Sequence, residues 1–326
     1  MFSGIRNIVR LVAVVALTLC GAAYGKDWPA QPVKIVLPYP PGGASDITAR
    51  LLGDKLGAAW KVPVVIENRP GANGIVANEL VAKSPADGYT VLMANLGPNA
   101  INHAVYAKLP YDSSRDFLPV ILTTKVPLVL VTAANAPIKD LKDLIEQARG
   151  KSSPVAYGSA GIGAGSHMAG ELLASMVGVK FLHVPYKGDS PALSDLMGGQ
   201  IVFALPTALA ATPHIKSGRV KALAVTSESR LPSLPDVPTV NESLGLREYS
   251  AVSWGGFMVP VGTPQAVVDK LNADIGRVLQ SNEIKTKLQE QGAIVVGGTS
   301  DEFGGFLKNE LTKWKRVAGA AKIRLD

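Results

Sequence analysis

The chain has 326 residues, a formal net charge of +7, 47% hydrophobic residues and 18% charged ones. That length supports two domains with cores of their own. The basic excess is dispersed and aromatics are few, which argues against a nucleic-acid surface. The single cysteine, Cys20, leaves no basis for a disulfide framework, thiol catalysis or a cysteine-held metal in the rest of the chain.

The opening stretch "MFSGIRNIVRLVAVVALTLCGAAYGKDWPA" reads as a secretory signal. Arg6 and Arg10 form a positive start, Leu11 to Leu19 a short apolar segment, and Ala23-Tyr24-Gly25 a small-x-small cleavage site. The apolar segment is too short for a membrane span. An uncleaved anchor and a core helix are the structural alternatives. Cleavage after Gly25 is the expectation for 1–25. It removes two arginines and no acid, leaving residues 26–326 with a charge of +5 and no cysteine. Leu19 stands where a lipoprotein signal prefers a small residue, so lipidation at Cys20 is not expected. Export without cysteines suits a bacterial periplasm.

From there strand-like and helix-like runs alternate. "VKIVLPY" (33–39) reads as a strand, "DITARLLGDKLGAAW" (46–60) as a helix and "VPVVIENR" (62–69) as a strand. "GIVANELVAKS" (74–84) is helical and "YTVLMAN" (89–95) extended. A long β-type run, "FLPVILTTKVPLVLVTA" (117–133), precedes the helix "IKDLKDLIEQARG" (138–150). Then "VAYGS" (155–159), "SHMAGELLASMVG" (166–178), "KFLHVPY" (180–186) and "SPALSDLMGG" (190–199) read as strand, helix, strand and helix. Ser190 is placed to cap the last of these, with Pro191 at its first position. "QIVFALP" (200–206) and "VKALAVTS" (220–227) are strands, and two helices close the chain at 264–281 and 299–321. Such alternation predicts α/β architecture, with parallel sheets covered on both faces. The runs at 117–133 and 231–264 are long enough to leave one domain and return. They imply a discontinuous first domain, 26–124 plus 247–326, and an inserted second domain, 125–246. The two doubly wound domains would be joined by crossing strands.

A glycine-bearing loop between strand and helix occurs twice, in "PYPPGGASDITARLL" and "YGSAGIGAGSHMAGELL". Helix N-termini carry free N–H groups and a positive dipole end, and glycine lets that backbone approach an anion. Ligands of open α/β sheets bind at the carboxyl ends of strands. One such loop per domain would clamp an anion from both sides; the plainer reading is that the glycines make turns. The spacing Gly161-x-Gly163-x-Gly165 does not complete a dinucleotide fingerprint, and no phosphate loop of the GxxxxGK type occurs. A nucleophile elbow fails too, because Tyr157 and Ala164 stand where glycine should precede Ser159 and Ser166. Ser45 or Asp46 is expected to cap the first helix, with Asp46 also free to meet a ligand donor. Ser166 combines the same roles in the second loop. His167 and Glu171 are spaced as a surface pair. His103, His167, His183 and His214 show no metal-ligand spacing. In "VPYKGDSPA" (184–192), Lys187 could pair with a carboxylate or simply be solvated.

In its order of motifs the sequence resembles the extracytoplasmic solute receptors of tripartite tricarboxylate transporters, the Bug type. The resemblance runs from "WPAQPVKIVLPYPPGGASDITARLL" and "VVIENRPGANGIVANELVAKSPADGYTVLMAN" through "YGSAGIGAGSHMAGELL" and "VPYKGDSPALSDLMGGQIVFAL" to "SWGGFMVPVGTPQAVVDKLN". It implies a type II-like periplasmic binding protein, with no cofactor or metal, that closes on a small carboxylate. Such a receptor works as a monomer with integral membrane transporter subunits and is not an enzyme. It implies ligand contacts at Tyr39, Gly42, Gly43, Ser45 and Asp46, at Ser159, Gly161, Gly163 and Ser166, and at the rims Asn95, Tyr186 and Gly188. Hinge closure would bend the chain near 120–128 and 246–254. One departure is "LPTALAATPHI", where Pro206 stands near the place of the family's frequent aspartate. Two other readings remain open: a periplasmic hydrolase using Ser159 or Ser166 with His167, and a receptor that feeds a sensor kinase.

Overall fold

A computed structural model describes residues 28–150, 154–290 and 292–325. The expected signal, with Cys20 and Gly25, lies outside the described residues. The strands are β1 (Val33–Leu37), β2 (Val64–Asn68), β3 (Thr90–Asn95), β4 (Phe117–Pro127), β5 (Val129–Ala133), β6 (Val155–Ser159), β7 (Phe181–Pro185), β8 (Phe203–Ala204), β9 (Val220–Val225), β10 (Val252–Pro260) and β11 (Ile294–Gly297). The helices are α1 (Ala44–Trp60), α2 (Ile75–Ala82), α3 (Asn102–Val105), α4 (Leu141–Gly150), α5 (Gly165–Val177), α6 (Asp189–Met197), α7 (Ala208–Lys216), α8 (Val240–Leu244), α9 (Gln265–Leu279), α10 (Asn282–Glu290) and α11 (Ser300–Ala321).

They build two α/β sheets. The first has the order β11-β4-β10-β3-β1-β2 and the second β7-β6-β8-β5-β9. The sheets are mixed, not parallel throughout. β1 runs parallel to β2 and β3, but β10 is antiparallel to β3 and β4, and β5 is antiparallel to β8 and β9. Alternation along a sequence is local and cannot show this, because the long strands enter each sheet from the other. The run 117–133 is two strands: β4 ends at Pro127 in the first sheet and β5 begins at Val129 in the second. Pro127 lacks an N–H for a continuing ladder. β10 carries the return and pairs with β4 from Val252↔Pro127 to Pro260↔Phe117.

The strand cores follow from burial on both faces. All five residues of β5 are buried, as are four of the five in β1, which fits near-continuous Val/Ile/Leu runs. One cluster packs α1 and α9 on the first sheet through Leu52, Leu56, Leu271 and Ile275. A second packs α6 and α7 on the other through Leu193, Leu196 and Ala211. The largest is shared, joining Leu92 and Trp254 of the first sheet to Tyr157 and Phe203 of the second. α11 spans it, packed on β4 and α3 and also on α5. Its start is fixed by a capping box in which Thr299 and Glu302 each accept the other's backbone N–H.

Several local expectations change. α6 starts two residues earlier than that cap places it, with Gly188 at its N-cap and Ser190 inside it. Asp189 is spent elsewhere: its Oδ2 accepts from the Thr207 N–H (3.0 Å) and hydroxyl (2.8 Å). The strand at 200–206 shrinks to Phe203–Ala204. α7 has no counterpart among the expected elements, and Pro213 lies within it. Its ring sits far enough along the helix that only one ladder bond is lost. α10 and β11 were hidden by polar composition and brevity.

Candidate functional site

The first loop joins β1 to α1. Gly43 is the N-cap of α1 and no side chain caps it, so neither Ser45 nor Asp46 plays the expected capping role. Asp46 reaches back to accept the Gly42 N–H at 3.0 Å, where Gly42 has φ +92°. Arg50, one turn on, grips the same carboxylate through Nε (3.0 Å) and Nη2 (2.9 Å). Asn68 at the end of β2 donates to Asp46 Oδ1 and to the Tyr39 carbonyl, each at 3.0 Å. The Arg50 hydrogen bond is the main reason the Asp46 carboxyl titrates low, at about 2. Both Asp46 oxygens are thus engaged by the protein, and the residue shapes the loop. Tyr39 is half-buried, and burial pushes its hydroxyl up to about 12. That hydroxyl lies over Gly97, where a Cβ would come within 2.8 Å of it. Ser45 Oγ accepts from Asn95 Nδ2 at 2.8 Å, tying the first turn of α1 to the carboxyl end of β3.

The second loop joins β6 to α5 and is held from within. Ser166 is not the N-cap, which is Ala164. Its Oγ accepts the Ala160 N–H at 2.9 Å. Ser159 Oγ accepts the Gly161 N–H at 3.1 Å and lies 2.6 Å from His183 Nε2. The Gly163 N–H, at φ +75°, donates to His167 Nδ1 at 3.1 Å. His167 is no surface residue. Its ring is buried and stacks on His183 with centroids 3.7 Å apart. Burial lowers the two imidazoles to about 3 for His167 and about 4 for His183, so both are neutral at pH 7. Glu171, raised by burial, accepts the Tyr157 hydroxyl at 2.9 Å and is 3.9 Å from His167 Nε2.

The third loop, between β7 and α6, is stitched to the second. The Tyr186 and Gly188 N–H groups donate to the Ser159 and Ala160 carbonyls at 3.0 and 3.2 Å. The Tyr186 hydroxyl turns to Asp195 at 2.8 Å, and burial pushes it up to about 12.

The first two loops converge. Asn95 holds Ser45, and Leu96 beside it lies where a Cβ on Gly165 would touch it at 3.2 Å. The glycine at the start of α5 therefore allows the second loop to pack on the end of β3. The N–H groups of Gly42, Ala160, Gly161 and Gly163 are consumed inside the loops. The first-turn N–H groups of Ala44, Ser45 and Asp46, and of Gly165, Ser166 and His167, find no acceptor among the described residues. They are the donors left for an anion, backed by two helix dipoles. Among the described residues no group of three or more His, Cys, Asp or Glu is placed to hold a metal. His183, Arg50 and Asn68 carry much of this geometry and were not singled out in the sequence. Only a strand-end position marks Asn68 and an i,i+4 spacing to Asp46 marks Arg50, whereas His183 lies in the middle of β7.

The family model of the tripartite tricarboxylate transporter family receptor, TctC, matches residues 48–323. The chain belongs to this family. BugT of Bordetella pertussis is 35% identical over 98% of this chain and 99% of its own. The solved structure of R. palustris Rpa4515 with adipate is 36% identical with a TM-score of 0.79, covering 91% of this chain and 99% of that one. MatC from Rhodopseudomonas palustris with bound malate is 32% identical with a TM-score of 0.75, covering 89% and 99%. TctC proteins are solute receptors and not enzymes, and the hydrolase alternative falls with that. Its geometry fails as well: neither Ser159 nor Ser166 is hydrogen-bonded to His167 among the described residues. Among the described residues no helix is long and apolar enough to cross a membrane.

Proposed function

We propose that this TctC protein is an exported, monomeric receptor that closes on a small carboxylate and delivers it to the membrane subunits of a tripartite tricarboxylate transporter. The observation that carries this is the convergence of two uncapped helix N-termini, α1 and α5, on the carboxyl end of β3. Six unspent N–H donors and two dipoles favour one or both oxygens of a carboxylate. The adipate and malate of two similar structures support the same ligand class. Ser45, Gly43 and the first turns of both helices would make the direct contacts. Asp46, Ser159, Ser166, Gly161 and Gly163 would hold the loops in shape, with Tyr39, Tyr186 and Gly188 at the rims. Residues 26–124 plus 247–326 would move as one lobe and 125–246 as the other. The bends would fall near 120–128 and 246–254, where β4 passes to β5 and the chain enters β10.

Thermal unfolding against a panel of carboxylates and their neutral amides tests this reading. A ligand at about 100 Kd adds about 2.7 kcal/mol, a shift of several degrees for a chain this long. An acid that shifts the midpoint while its amide does not is the expected result. If no acid shifts it, the anion clamp is wrong.

A further inference from the structure

Resting on the two-lobe receptor reading, we propose that Thr226 couples the two chain crossings between the lobes into one hinge. The outward crossing is a single residue: β4 ends at Pro127, β5 begins at Val129, and Leu128 lies between them. Leu128 is buried, so its backbone groups must find partners inside the protein. Both find Thr226, a fully buried residue just past the end of β9. The Thr226 hydroxyl accepts the Leu128 N–H at 2.8 Å and donates to the Leu128 carbonyl at 3.1 Å. The Thr226 N–H donates to the same carbonyl at 3.0 Å. The return crossing ends at Ala251, one residue before β10, and the Ala251 N–H donates to the Thr226 carbonyl at 3.1 Å. Among the described residues no other side chain is hydrogen-bonded to the backbone of Leu128.

The position of Thr226 in the sheets gives these bonds their meaning. The ladder between β4 and β10 ends at Val252↔Pro127, and that between β5 and β9 ends at Val129↔Val225. Thr226 bridges the step from one to the other. Hinges are a few element-terminal residues that absorb a change in φ and ψ. Two crossings that bent separately would bring the lobes together with the N-termini of α1 and α5 displaced from one visit to the next. Tied at Thr226, they bend together and return those donors to one place, which is pre-organisation for an anion. The hydroxyl carries the tie to the outward crossing, because without it the Leu128 N–H is buried with no acceptor. Thr226→Val keeps the branched shape and removes the hydroxyl, whereas Thr226→Ser keeps the hydroxyl.

Amide hydrogen exchange of the protein without ligand, followed by NMR, reads the tie. In Thr226→Val the Leu128 amide loses its acceptor and should exchange at least about tenfold faster than in the wild type. The Ala251 amide keeps its acceptor, the Thr226 carbonyl, and should nonetheless rise by a similar factor because its crossing is released as well. Amides of β1 and β6 should hold their wild-type rates, and Thr226→Ser should match the wild type throughout. An Ala251 amide that stays at its wild-type rate makes the hydroxyl a local bond and overturns the proposal, as does a uniform rise that takes β1 and β6 with it. If Thr226→Val does not fold, the wild type decides: Leu128 and Ala251 amides as slow as those of β1 and β6 support the tie, and rapid exchange at either overturns it. No ligand enters this experiment, so a failed tie and a failed anion clamp are read separately.

Discussion

The replacement of Asp46 by Asn should destabilise the protein at neutral pH and matter progressively less in acid. Asp46 is almost fully buried and collects the Gly42 N–H, the Arg50 guanidinium and the Asn68 amide. Its carboxyl titrates at about 2 in the folded protein, against 3.8 ordinarily. At 1.36 kcal/mol per unit that difference amounts to about 2.4 kcal/mol. Arg50 is 49% exposed, so solvent screens the pair. We therefore expect a loss of about 1–2 kcal/mol at pH 7. The sign of the pH dependence is set by the depressed value. The unfolded chain takes up this proton first, so the contribution is whole well above pH 3.8 and is lost as pH falls towards 2. By pH 3 about half should be gone. Urea unfolding of wild type and Asp46→Asn between pH 7 and pH 3 measures it. A gap that stays constant over this range, or no gap at pH 7, would refute the argument that the ionised carboxylate holds the first loop.

Glu310 accepts from both the Trp254 and Trp314 indole N–H groups, at 3.0 and 2.8 Å. Glu310→Ala leaves two buried donors unpaired and should cost about 3 kcal/mol in denaturant unfolding; a loss below about 1 kcal/mol would show that water replaces the carboxylate. His183 should stay neutral in an NMR titration from pH 8 to 5, since burial lowers it to about 4. The unfolded chain binds that proton near 6.5, so stability should rise with pH between about 4 and 6.5. A His183 midpoint near 6.5 would contradict its burial against Ser159 and His167.

The α/β class and most strands and helices are local matters, and the sequence by itself determined them. Apolar runs such as "VKIVL" and "VLVTA" and the helical face of "DITARLLGDKLGAAW" declare their periods within a few residues. The two glycine loops were also legible, because a strand that meets glycine and then a helix leaves unpaired N–H groups whatever surrounds it. Tertiary structure alone decided strand direction in the sheets. β10 and β5 are antiparallel to their neighbours because each arrives from the other sheet, and no local pattern records the direction of arrival. It also decided how the polar side chains are spent. Ser45, Asp46 and Ser166 read as caps or ligand contacts in the sequence. In the fold, Ser45 meets a strand 50 residues away, Asp46 meets Gly42 and Asn68, and Ser166 reaches back to Ala160. His167 reads as half of a surface pair until β7 brings His183 against it. Hydrogen-bond partners distant in sequence exist only once the chain has packed, and a buried donor or acceptor must take whichever partner the packing supplies.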